Sequence, residues 1–148
     1  MKRERVVLIL ACVGIIIMLR VFYKGKSVLK KANILTFGFN QMGDVDGNNA
    51  GVHSEHDAIN KLKPLYRKRH LVPVNLLVIR LSKSNNLLNS KPCANCIQTM
   101  LILPQKKGYR IKYVYYSNDN GIIDKISLKK LSNQDLHYSS FIKKYTRK

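Results

Sequence analysis

Apolar and polar positions divide the chain into blocks that predict alternating strands and helices. Residues 6–19 form an uncharged run, interrupted by Arg20 and resumed by Val21-Phe22-Tyr23. A segment apolar all round predicts a helix, and two settings suit it. One is burial against a sheet. The other is a membrane anchor, which needs roughly 20 residues and is reached only if Arg20 snorkels to the interface. Basic residues flank both ends, so charge sets no clear orientation for an anchor, and no small-x-small site follows, which argues against a cleaved signal peptide. This divides the chain into a segment 1–23 and a domain 24–148.

Beyond residue 24 the pattern is clearer. Residues 27–31 and 34–40 predict two strands around a tight turn at Ala32-Asn33, followed by a polar, glycine-rich loop over 41–52. A helix begins at His53 and carries a basic tail to His70, interrupted at Pro64. Val72–Leu81 is nearly continuous in apolar residues, as expected of a central strand buried on both faces. After a loop over 82–90, residues 93–103 predict a helix with Ile97, Met100 and Leu101 on its apolar face. Tyr109–Ser117 alternates as a strand, Asn118-Asp119-Asn120-Gly121 is a hairpin turn, and residues 122–128 return. Residues 133–145 predict a short basic helix. No internal repeat is present.

Composition adds a strong constraint. The chain has 148 residues and is 45% hydrophobic, which suits a globular protein and excludes wholesale disorder. Its 27 Lys and Arg against 8 Asp and Glu give a formal charge of +19, spread along the chain. Such a charge raises encounter rates with polyanions, so nucleotides, nucleic acids and anionic membranes are natural partners. A lysine- and asparagine-rich surface without a partner accounts for the charge equally well. Three cysteines make a disulfide framework improbable and point to an intracellular, reducing compartment.

The chemistry-bearing residues fall in two stretches, Val52-His53-Ser54-Glu55-His56 and Lys91-Pro92-Cys93-Ala94-Asn95-Cys96, which together read H-x-E…P-C-x-x-C. One imidazole and two thiolates leave a tetrahedral zinc ion with one open position for water, whose pKa the ion lowers to roughly 7. A carboxylate that does not bind the metal, here Glu55, can then carry protons. Cys93 and Cys96 share a face on a first helical turn, Pro92 suits the start of that turn, and a helix N-terminus favours thiolate. His53 and Glu55 converge on one ligand only where a helix begins. Two other readings are open. The cysteines can be ordinary buried thiols. Alternatively, His53 and His56, which share a helical face, can close the zinc with both cysteines as a structural site.

The order hairpin, H-x-E helix, strand, P-C-x-x-C helix, strand resembles the cytidine deaminase-like superfamily over about residues 27–128. The resemblance implies an α/β fold, a mixed sheet sandwiched by helices. It makes His53, Cys93 and Cys96 the zinc ligands and Glu55 the proton shuttle. Gly38-Phe39-Asn40 is similar to the G-[YW]-N of deoxycytidylate and tRNA adenosine deaminases, which implies substrate contact for Asn40. Ser54 departs from the small apolar residue usual in the family, and its hydroxyl is a candidate helix cap. The Asn118–Gly121 turn implies a final antiparallel hairpin, nearer to the free-nucleoside deaminases than to the nucleic-acid editing ones. The expected activity is hydrolytic deamination of a cytosine- or adenine-type base, free or within nucleic acid, and the resemblance allows a homo-oligomer. The alternative is a basic nucleic-acid-binding or structural protein on the same fold, with zinc serving stability.

Overall fold

The computed structural model describes residues 5–11, 33–41, 43, 51–66, 69–84 and 86–134. These form an α/β fold with one mixed sheet. Its strands are β1 (Arg5–Ala11), β2 (Asn33–Gly38), β3 (Val72–Leu81), β4 (Leu87–Leu88), β5 (Tyr109–Ser117) and β6 (Ile123–Ser127). The helices among the described residues are α1 (Ser54–Lys61), α2 (Ala94–Lys106) and α3 (Leu128–Ser132). The sheet order is β2-β1-β3-β5-β6, with β4 paired to the end of β3. β2, β1, β3 and β5 run parallel, while β6 returns antiparallel to β5. The hairpin expected at the Asn118–Gly121 turn is therefore present, and Gly121 provides its positive φ of 71°.

The near-continuous apolar sequence of β3 follows from its place in the sheet. Val74, Leu76 and Val78 point into a core shared with α1, α2 and α3, while Leu77 and Ile79, on the other face, are also buried. From the helices, and from Leu62 just beyond α1, this core takes Ala58, Ile59, Ile97, Met100, Leu128 and Leu131. α1 packs on β2 and β1, α2 on β5, and α2 touches both other helices. The expectation of helices on both faces is met on one face among the described residues.

Two expectations need correction. Arg5–Ala11 is a strand, where a helix was expected over 1–23. A continuous apolar run carries no period to separate helix from strand, and this one lies between two parallel neighbours, where a strand too is apolar throughout. Residues 12–23 lie outside the described residues, and among the described residues no helix is long and apolar enough to cross a membrane. β2 pairs in parallel with β1, and the antiparallel partner expected for it at 27–31 lies outside the described residues. Second, α1 stops at Lys61 and does not run on to His70. Pro64 disfavours helical backbone at the residue before it, and Leu62 turns out of the helix at ψ 126° to bury its side chain. The helix expected over 133–145 lies almost wholly outside the described residues, and α3 forms earlier, capped by Ser127 Oγ accepting from Lys130 N–H.

Candidate metal centre

The site forms where the N-termini of α1 and α2 meet. Gly38, at the end of β2, lets α1 approach closely: a Cβ there would lie 2.5 Å from the Ala58 nitrogen. With the helix this near, the residues after Gly38 hold its first turn. Asn40 Oδ1 accepts from Ser54 N–H (2.8 Å). Asp57, only 6% exposed, accepts from Phe39 N–H (2.9 Å), Gln41 Nε2 (3.0 Å) and Lys61 Nζ (2.6 Å). Gln41 N–H also donates to Val52 O (2.8 Å), closing the loop on itself. His53 is the N-cap, in extended backbone (φ −69°, ψ 150°) and with no side-chain cap bond, so its ring is left for other partners.

α2 begins in the same way. Cys93 is its N-cap (φ −77°, ψ 168°), and Ile97 N–H donates to Cys93 O to close the first turn. The approach to Cys93 is held by a buried serine pair. Ser90 Oγ donates to Val78 O (2.8 Å) and accepts from Ser117 N–H (2.8 Å), and the two hydroxyls lie 2.8 Å apart. The ends of β3 and β5 are thereby tied to the segment that positions both cysteines.

His53 Nδ1 lies 3.1 Å from Cys96 Sγ and 3.6 Å from Cys93 Sγ. All three donor atoms fall within 4.8 Å of one another, and no other group of three or more such side chains forms among the described residues. Bonds of about 2.0–2.3 Å to a tetrahedral zinc separate N from S by about 3.6 Å and S from S by about 3.8 Å, so the arrangement accepts the ion with small adjustment. The donors suit it chemically. A hydrogen bond from Cys96, with His53 beside it, pushes the Cys93 thiol down to about 4. The same hydrogen bond, with burial, holds the Cys96 thiol well above the usual thiol range. His53 is raised by its hydrogen bond to Cys93. Two thiols and an imidazole sharing protons in this way are the groups that a borderline-soft cation displaces protons from. The positive ends of two helices favour the thiolates further.

Glu55 is 6% exposed and stands outside the donor group. Burial raises its carboxyl above the usual carboxylate range. Its Oε2 accepts from Ser54 Oγ (3.1 Å). Ser54 is therefore a partner of Glu55, and the cap expected of it is supplied by Asn40. His56 is half-buried and does not join the donors, so the four-ligand closed site is not formed. Sequence reasoning missed Asp57, Gln41, Ser90 and Ser117, which hold the site without belonging to it. Of these only Asp57 carried a signal, as an acid in a first helical turn four residues before Lys61.

No protein-family model matches this chain, and neither a curated protein nor a solved structure matches it.

Proposed function

We propose that the chain is a zinc-dependent hydrolytic deaminase acting on a cytosine- or adenine-type base. One observation carries this reading. Three donors converge at two helix N-termini, while a buried carboxylate stands beside them without joining them. A structural zinc site uses four protein ligands, whereas a catalytic one uses three and keeps a position open. The reading rests on that arrangement and on the sequence motif, not on a relative.

His53, Cys93 and Cys96 would hold the ion. Zinc bound there supplies an acidified water as nucleophile for the ring carbon that bears the exocyclic amine. Glu55 would take one proton from that water and give it to the ring nitrogen, then take the proton left on the added hydroxyl and give it to the amine, which departs as ammonia. Its raised affinity for protons suits a group that must hold one between those steps. Ser54 Oγ steadies the carboxylate by donating to it. Asn40 Oδ1 already accepts from α1, and its amide N–H groups are free to meet an acceptor on a substrate.

Glu55→Gln and His56→Ala, compared side by side, test the reading. Glu55→Gln should retain zinc and its melting temperature yet lose ammonia release by about 10²–10⁴-fold on a panel of bases and nucleosides. His56→Ala should be mild in both respects. Zinc loss from His56→Ala with an unaffected Glu55→Gln would replace the catalytic site by a closed structural one.

A further inference from the structure

The described carboxylates lie towards one end of the molecule. Glu55 and Asp57 are in α1 at the metal centre, and Asp119 and Asp124 lie at the hairpin turn beyond β5 and at the start of β6. Ser90 N–H donates to Ser117 O, which places the β5 end of that hairpin beside the approach to Cys93.

The opposite end is built differently. Leu65 N–H donates to Lys107 O, Val72 N–H to Gly108 O, and Tyr109 OH to Lys63 O, each at 2.9 Å. These bonds gather the α1–β3 connection, the end of α2 and the start of β5 into one surface. Lys63 and Arg69 on the connection, Lys106 on α2 and Arg110 on β5 are all exposed there. Lys129 and Lys130 extend it on α3, which packs against α2 and β5. The one ion pair among the described residues joins Lys61 to Asp57, so none of these six cations has a carboxylate partner among the described residues. In their midst Tyr66 is 84% exposed, with Leu71 37% exposed nearby.

We propose that this end binds single-stranded nucleic acid, at a surface separate from the metal centre. The 13 residues of α2 separate the two ends, a span of about 20 Å at helical rise. Lysine and arginine side chains from four segments meet successive phosphates, and the face of Tyr66 stacks a base. That combination suits a single strand, whose bases are open to stacking. One tyrosine and one leucine rising above the surface give a bilayer little to hold. The inference stands on charge and exposure and does not depend on the chemistry at His53, Cys93 and Cys96.

The test is fluorescence anisotropy of a labelled oligothymidylate or oligouridylate of about 15 nucleotides, titrated with the full chain at several salt concentrations. Lys106→Glu with Arg110→Glu should weaken binding at least tenfold and flatten the salt dependence by about 0.7 log units per lost phosphate contact. Arg80→Glu with Lys83→Glu makes the same change in charge at the other end and should weaken binding far less. Tyr66→Ala should lose about five- to a hundredfold. Glu55→Gln should bind as the unaltered protein does, so loss of ammonia release and loss of binding fail independently. Melting curves confirm that each variant folds; Lys106→Gln with Lys129→Gln replaces the first pair if it does not, and Arg80→Gln with Lys83→Gln replaces the second. Equal weakening by the two charge-reversed pairs, or an unaffected Tyr66→Ala, would overturn the proposal. So would binding to phosphatidylserine vesicles without binding to the oligonucleotide.

Discussion

Asp57 gives the sharpest test of how the site is held. Its carboxylate takes three donors: the backbone of Phe39 and the Gln41 amide, both in the segment after β2, and the Lys61 ammonium one turn on in α1. Asp57→Ala removes all three acceptor contacts and leaves Phe39 N–H without its partner in a partly buried position. The bond to Lys61 contributes little, because that ammonium is half exposed and screened by water. Bonds from the other two donors to a buried, charged acceptor contribute about 1–2 kcal/mol each, for a total near 2–4 kcal/mol. For a chain of this length that is a fall of about 6–12 °C in melting temperature. Asp57→Asn should fall between, since it keeps one acceptor oxygen but turns an NH2 towards a donor.

The effect of Asp57 also depends on pH. Burial alone would raise its carboxyl, but Lys61, Phe39 N–H and Gln41 together hold it below the ordinary carboxylate value. A depressed folded pKa contributes stability above the unfolded value, about 3.9, and that contribution is lost as pH falls through the lower folded value. Melting curves of the three proteins between about pH 7 and pH 3 should therefore converge at the acid end. Because the same bonds fix β2 to α1, Asp57→Ala should also weaken zinc binding through His53. An Asp57→Ala protein with an unchanged melting temperature at neutral pH would refute the account of the loop.

Metal analysis of the full chain should find about one zinc per chain, lost in Cys93→Ser or Cys96→Ser and greatly weakened in His53→Ala. The full chain is needed because Arg5–Ala11 lies inside the sheet. Gly38→Ala should destabilise by about 1–3 kcal/mol or more in denaturant titrations, since its Cβ would meet α1 backbone; wild-type stability would show that α1 does not lie so close. Ser90→Ala should cost about 1–3 kcal/mol by leaving the buried Ser117 N–H unpaired, and an unchanged denaturation midpoint would count against the serine pair.

The elements that the sequence made legible are those whose pattern has one reading. Val72–Leu81 and Tyr109–Ser117 are strands with the expected bounds, because their lengths and flanking turns exclude a helix. The hairpin after Ser117 follows from a local Asn-Gly signal. His53, Cys93 and Cys96 were legible as a set because a metal demands particular donor atoms at particular spacings, and the fold brings them together.

Tertiary structure decided what no local pattern encodes. Residues 6–11 are uniformly apolar, so a strand between two others and a helix under a sheet look alike until the neighbours are known. Ser54 read locally as a candidate helix cap. Only the approach of α1 to β2 over Gly38 assigns the cap to Asn40, 14 residues away, and leaves Ser54 to hold Glu55. His56 shares a helical face with His53, yet an N-cap residue lies outside the helical repeat. Its direction is set by extended backbone, and for that reason one histidine joins the cysteines and the other does not.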